Sequence, residues 1–163
     1  MRLFIAVRLS EEMQGSVTQT LHLMKKLGAK GKFVPSSNLH LTLAFLGEVP
    51  DAAPVKEAMS SVAWKPFKLS MTELGTFGDT LWVGLKGNQG LSALEKSLRE
   101  ALDSAGIDYD RKKFVPHITM ARKFSGNYRQ VPAPKGDMMV KKVSLMRSDL
   151  KDGKRVYREI FSV

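Results

Sequence analysis

Two histidines occur in the same four-residue pattern, and that pattern can carry acid/base chemistry. The pattern is His-x-Thr-x, and it is found at residues 40–43 (His-Leu-Thr-Leu) and at residues 117–120 (His-Ile-Thr-Met). Because the reference pKa of imidazole is about 6.5, one histidine can be neutral and the other protonated near neutral pH. The pair can therefore supply both the base and the acid of a single reaction.

Each threonine lies two positions after its histidine, so on a strand both side chains point to the same face. The leucines around His40 and Thr42 then occupy the apolar face. A threonine hydroxyl at this position can donate to a non-bridging phosphate oxygen, although Thr42 and Thr119 are also good strand residues with no need of a ligand. Arg122 adds a cation five positions after His117, and it suits either a phosphate or solvent.

This set of groups fits the opening of a cyclic phosphate by water. A base must take the proton of the water, and an acid on the opposite side of phosphorus must protonate the departing ribose oxygen. Metal chemistry has weaker support, because neither histidine belongs to a His-x-His or His-Glu-x-x-His arrangement and the chain has no cysteine. We expect no metal and no cofactor. The third histidine, His22, falls outside the apolar arc of its predicted helix and is expected to be exposed.

The elements that position the two motifs form an internal repeat. Each half is predicted to contain a strand, a helix, the sequence Lys-Phe-Val-Pro and then His-x-Thr-x. The histidine follows the first residue of its strand by 37 positions from Leu3 to His40, and by 36 positions from Leu81 to His117. We expect one domain, residues 1–163, with two interleaved lobes whose pseudo-two-fold axis brings the histidines together.

Other segments complete the predicted fold. An apolar series at helical spacing runs from Met13 to Leu27, with Ser10 as the N-cap and Gly28 as the stop. The last two strands are predicted over Met138 to Arg147 and Val156 to Val163, around a turn at Asp152-Gly153. Four phenylalanines suit either base stacking or core packing, and the sequence does not separate these uses. They are Phe4, Phe33, Phe45 and Phe114.

Composition points to an anionic partner and gives no sign of a membrane. The chain has 26 Lys+Arg and 16 Asp+Glu, a formal net charge of +10. This charge suits nucleic acid, but a basic protein without such a partner has the same balance. Arg8 interrupts the apolar start before it could form a signal-peptide core or a membrane span. We expect a cytoplasmic protein that does not bind membranes.

Three segments together resemble the 2H phosphoesterases, and more narrowly the RNA 2′,3′-cyclic phosphodiesterases formerly called 2′-5′ RNA ligases. They are residues 2–6 (Arg-Leu-Phe-Ile-Ala), residues 38–47 around the first motif and residues 116–122 around the second. The resemblance implies a bilobal α+β fold, with antiparallel sheets lining a central cleft and helices outside. It also implies metal-independent hydrolysis of 2′,3′-cyclic phosphates on RNA ends or nucleotides to 2′-phosphates.

Carried over by position, the resemblance makes His40 the proton donor and His117 the proton acceptor. It assigns Thr42, Thr119 and Arg122 to the phosphate. The near symmetry of the halves leaves the two histidine roles exchangeable on the residues alone. Two other functions stay open: 2′-5′ ligation of RNA at the same site, and binding of RNA ends without turnover. A monomer is expected.

Overall fold

The structure is a computed structural model that describes residues 1–163, with nine strands and three helices. The helices are α1 (Glu11–Lys26), α2 (Ala53–Ser60) and α3 (Gln89–Ser104). The strands are β1 (Arg2–Arg8), β2 (Lys30–Phe33), β3 (His40–Glu48), β4 (Phe67–Phe77), β5 (Thr80–Leu85), β6 (His117–Ser125), β7 (Asp137–Val140), β8 (Ser144–Lys151) and β9 (Lys154–Ser162). No helix combines the length and the apolar character needed to cross a membrane.

All nine strands belong to one antiparallel sheet. Eight follow the order β7-β4-β5-β6-β3-β1-β8-β9, and β2 pairs with β6 beside β3. The predicted repeat maps onto the middle of this order, because β1, α1 and β3 of the first half correspond to β5, α3 and β6 of the second. The predicted α+β class with an antiparallel sheet is confirmed, and the two halves of the sheet meet edge to edge where β3 joins β6.

The two faces of the sheet have different roles. The apolar residues of the histidine strands, such as Leu41 and Ile118, belong to a core of 36 buried residues that also contains Val17 of α1 and Leu98 of α3. Truncation of a leucine in such a core typically costs about 2–5 kcal/mol of stability. The helices therefore cover this face and leave the histidine face open. We call the histidine face the cleft face.

The first helix begins as predicted but ends earlier. Ser10 is the N-cap, and its hydroxyl accepts a hydrogen bond from the amide of Met13 at 3.2 Å. The helix ends at Lys26, and Leu27 is 60% exposed. The prediction that Leu27 belongs to the buried stripe was therefore wrong. The chain turns at Gly28, whose φ of 91° takes the next residues away from the helix axis.

The prediction of a single strand over Met138 to Arg147 was also wrong, because this segment contains parts of two strands, β7 and β8. β7 pairs with β4 at one end of the strand order, whereas β8 pairs with β1 near the other end. Only residues 141–143 connect them, and a link of that length spans at most about 14 Å. The sheet must therefore curl until its two ends approach each other.

A β-bulge in each histidine strand changes which residues reach the cleft face. In β6, one step along β5 from Trp82 to Leu81 corresponds to two steps from Thr119 to Ala121. In β3, one step along β1 from Ile5 to Ala6 corresponds to two steps from Ala44 to Thr42. An extra residue reverses the alternation of side chains beyond it. Residues 45 and 122 consequently join the histidines on the cleft face.

Two glycine substitutions should have opposite effects on stability. Gly15 lies in α1 with no atom within 4 Å of an added Cβ, so Gly15→Ala should stabilise the protein by about 0.5–1 kcal/mol. At Gly31 in β2 the φ is +155° and an added Cβ would lie 2.9 Å from the carbonyl oxygen of Arg122, so Gly31→Ala should destabilise by about 1–3 kcal/mol. Chemical unfolding measures both changes. Equal midpoints for the two variants would contradict this account of β2 packing.

Candidate active site

One pair of residues brings the two motifs together. Leu41 of β3 is the backbone partner of Ile118 of β6 in an antiparallel arrangement. The neighbours of Leu41, His40 and Thr42, therefore lie beside the neighbours of Ile118, His117 and Thr119. All four side chains line one cavity of about 80 Å³, which we call the histidine cavity. Its wall also includes Val34, Asn38, Arg122 and Tyr157.

Each imidazole is fixed in the same way. The Nδ1 atom of His40 lies 2.7 Å from the carbonyl oxygen of Asn38, and that of His117 lies 2.6 Å from the carbonyl oxygen of Val115. A carbonyl oxygen only accepts hydrogen bonds, so Nδ1 must carry the hydrogen in both rings. Nε2 is therefore the nitrogen that gains or loses a proton in each histidine. The two rings share a tautomer that is set by the backbone.

The surroundings of the two Nε2 atoms differ. Thr42 Oγ1 lies 2.9 Å from Nε2 of His40, and the hydroxyl donates when that ring is neutral. No equivalent hydrogen bond joins Thr119 to His117, whose Nε2 has no hydrogen-bond partner in the protein. The two halves thus match in how they hold the ring but differ at the reacting nitrogen.

Arg122 supplies positive charge to the histidine cavity. It reaches the cleft face because of the bulge in β6, and no carboxylate lies within 4.0 Å of its guanidinium. Burial lowers the pKa of His40, and the charges of Arg122 and His117 lower it further against the opposing hydrogen bond to Asn38. His40 therefore favours its neutral form in the free protein.

Aromatic rings surround both imidazoles, and most of them were not among the predicted site residues. The ring of His40 lies 4.8 Å from Phe4 and 5.5 Å from Tyr157, between ring centroids. The ring of His117 lies 5.3 Å from Phe77 and 6.5 Å from Trp82. Tyr157, Phe77 and Trp82 lie far in sequence from the motifs, so only the pairing of the strands connects them with the site.

The structure separates the four phenylalanines that suited either base stacking or core packing. Phe4 and Phe45 lie on the cleft face, whereas Phe33 and Phe114 pack against the main core. His22 lies exposed on α1, as predicted. No group of three or more His, Asp and Glu side chains is placed to hold a metal ion.

Solved structures define the class of protein to which this fold and site correspond. A crystal structure of E. coli LigT complexed with 3′-AMP matches with a TM-score of 0.80 at 29% identity, covering 99% of this chain and 95% of that chain. A crystal structure of TT0787 of Thermus thermophilus also matches with a TM-score of 0.80 at 29% identity, covering 99% and 96%. The fold is thus that of LigT-like phosphoesterases.

Sequence comparison gives the family. Residues 23–152 match the model of the 2′-5′ RNA ligase superfamily, and the chain belongs to this family. The RNA 2′,3′-cyclic phosphodiesterase of Archaeoglobus fulgidus is 36% identical over 130 residues, 75% of this chain and 72% of the relative. That of Geobacillus stearothermophilus is 36% identical over 163 residues, but the chain spans only about half of its length, 52%. The resemblance found in the sequence is confirmed.

The pKa of His40 provides a test of the geometry of the cavity. Because the Arg122 guanidinium helps to lower it, Arg122→Gln should raise this pKa, as followed by NMR titration of the imidazole. The control Arg129→Gln removes the same charge outside the cavity and should leave the titration unchanged. A His40 titration that is identical in Arg122→Gln and the unmodified protein would place the guanidinium away from the ring.

Proposed function

We propose that this protein hydrolyses RNA 2′,3′-cyclic phosphate ends to 2′-phosphomonoesters, with His40 and His117 as the acid/base pair. One observation carries the proposal: two imidazoles with the same backbone-fixed tautomer line a single small cavity together with two hydroxyls and an unpaired guanidinium. The names of the curated relatives support the same reaction. We also propose that residues 1–163 act as one domain of two interleaved lobes and as a monomer.

The reaction needs one proton to enter and one to leave through the two Nε2 atoms. Nε2 of His117 takes a proton from water as the water oxygen bonds to phosphorus. The bond between phosphorus and the 3′-oxygen breaks, and Nε2 of His40 donates its proton to that oxygen. The product carries a 2′-phosphate and a free 3′-hydroxyl, and each histidine ends in the protonation state with which the other began.

The donor role of His40 has an electrostatic requirement. In the free protein burial and the nearby cations lower the pKa of this ring, whereas a donor must be protonated. The negative charge of a bound cyclic phosphate opposes both effects, since it offsets Arg122 and favours an imidazolium beside it. Protonation of His40 is therefore coupled to substrate binding. If the two histidines exchanged roles, His40 would act as the base. Its neutral form in the free protein already suits that role, so its protonation would not need to be coupled to substrate binding.

The phosphate is held by groups of fixed geometry. Thr42 and Thr119 donate hydroxyls to the non-bridging oxygens, and Arg122 supplies a charge that no carboxylate of the protein neutralises. Ligation through a 2′-5′ bond would use the same atoms with a 5′-hydroxyl in place of water, but the relatives named for their activity are cyclic phosphodiesterases. A module that only binds RNA ends would not need two titrating imidazoles.

Removal of either histidine should abolish the reaction. With an oligoribonucleotide ending in a 2′,3′-cyclic phosphate as substrate, His40→Ala and His117→Ala should each lower kcat by at least about 10²–10⁴-fold, because each removes one proton-transfer partner. Chromatographic identification of the 2′-phosphate product measures the activity. His22→Ala is the matched control and should keep full activity, since His22 is exposed on α1.

The same assay discriminates the competing mechanisms. Near-normal turnover by folded His40→Ala or His117→Ala would end the two-histidine mechanism. Loss of activity with EDTA and its recovery with zinc would indicate a metal enzyme, and a lengthened RNA strand would indicate ligation. We expect activity to persist in EDTA and to show a bell-shaped dependence on pH, because the reaction needs one protonated and one neutral imidazole.

The threonine hydroxyls can be tested by removing one oxygen atom each. Thr42→Val and Thr119→Val keep strand-forming side chains of similar shape, and each should lower kcat by about 10²-fold through loss of a phosphate donor. Thr76→Val is the control, because Thr76 is an exposed residue of β4 outside the cavity. Unchanged kcat in both variants would assign the two threonines a conformational role only.

A further inference from the structure

A second, larger cavity adjoins the histidine cavity on the cleft face. Its volume is about 380 Å³, and it shares His40, Thr42, Arg122 and Tyr157 with the smaller one. The remaining residues of its lining are Arg2, Phe4, Phe45, Ser148 and Arg155. We call this space the arginine chamber. Its size falls in the usual range for cavities that bind small molecules, about 300–1,000 Å³.

The chamber has an unbalanced charge. Three arginines line it, no acidic residue does, and Arg2, Arg122 and Arg155 form no ion pair within 4.0 Å. Guanidinium groups that face one space repel each other unless an anion lies between them. Another basic groove, lined by Arg8, Lys141 and Lys142, differs because a carboxylate lies beside it: Glu159 pairs with Lys142 at 3.0 Å.

The chamber also offers aromatic surface. Phe4 and Tyr157 contact each other with centroids 5.1 Å apart, and the guanidinium of Arg2 lies 5.0 Å from the centroid of Phe45. Phe45 reaches this face because of the bulge in β3. Aromatic faces together with arginines are the groups that bind a nucleoside and its phosphate.

We propose that the arginine chamber binds the reacting nucleoside of an RNA end and that Arg2 and Arg155 hold the phosphodiester on its 5′ side. This inference rests on the proposed function. A free nucleoside 2′,3′-cyclic phosphate has one phosphate, which the histidine cavity and Arg122 bind. An RNA end has a second phosphate one nucleoside away, and Arg2 and Arg155 are the two arginines that line the chamber but not the histidine cavity. The enzyme therefore selects RNA ends over free cyclic nucleotides.

Two hydrogen bonds of Asn38 connect this subsite to the reacting histidine. The side-chain amide of Asn38 donates to the carbonyl oxygen of Arg155 at 3.4 Å, while the backbone carbonyl oxygen of Asn38 accepts from Nδ1 of His40 at 2.7 Å. The hairpin of β8 and β9, which carries Arg155, is thus tied to the residue that orients the ring. Truncation of the Arg155 side chain leaves the carbonyl in place, so the subsite can be tested while this contact is kept.

The test compares two substrates that differ by the 5′ phosphodiester and the nucleoside attached to it, and the arginine variants isolate the contribution of the phosphodiester. The substrates are adenosine 2′,3′-cyclic phosphate and the dinucleotide ApA ending in a 2′,3′-cyclic phosphate, each assayed for kcat/KM. We expect the unmodified protein to favour the dinucleotide by about tenfold or more, and Arg155→Ala or Arg2→Ala to reduce this ratio by about tenfold, since a charge-assisted hydrogen bond to phosphate is lost. Arg158→Ala is the control, because Arg158 lies on the same strand outside the chamber and should preserve the ratio.

A binding measurement separates failure of the subsite from failure of the proposed function. Dissociation constants of adenosine 2′-phosphate and of ApA ending in a 2′-phosphate, measured by calorimetry, need no turnover. Absence of hydrolysis together with an arginine-dependent preference for the dinucleotide would overturn the function but keep the subsite. Equal kcat/KM for the two substrates, or a preference that survives both Arg2→Ala and Arg155→Ala, would overturn the subsite.

Discussion

The backbone pairing of Leu41 with Ile118 is the constraint on which the rest of the site depends. It joins the two halves of the sheet at the centre of both His-x-Thr-x motifs, so the register of one strand pair fixes the relative position of four polar side chains. Because the side chains of a strand alternate, a shift of either strand by one residue would turn its histidine and threonine toward the helices and expose its apolar residues. Burial of Leu41 and Ile118 in the main core, each exposed by 1% or less, opposes such a shift.

The repeat is symmetric in its scaffold and asymmetric in its chemistry. Both histidine strands contain a bulge after the motif, but the residue that the bulge presents is Phe45 in one half and Arg122 in the other. The residues opposite the histidines also differ, with Arg8 beside His40 and Gly84 beside His117. The repeat thus supplies two equivalent ring positions, and the different residues around them give the two rings different electrostatic surroundings.

Local patterns in the sequence predicted the parts of the site that local forces decide. The spacing within the motifs indicated the shared face of His40 and Thr42, and Ser10 indicated the capped start of α1. The division of Met138 to Arg147 into β7 and β8 could not be read in this way, because it depends on which distant strand each part joins. The bulges were missed for the same reason: an extra residue is visible only against its partner strand. Tyr157 and Arg155 reach the site through tertiary pairing alone.

The hydrogen bond between Asn38 and Arg155 has a consequence for how the protein is made. It joins residues 117 positions apart, and β1, near the start of the chain, lies between β3 and the late strand β8. When both histidine motifs of a nascent chain have left the ribosome, the β8–β9 hairpin has not. This hairpin carries Arg155, whose carbonyl contacts Asn38 beside the first motif. Assembly of the histidine cavity must therefore await the synthesis of β8 and β9, and contacts of such long range are slow to form.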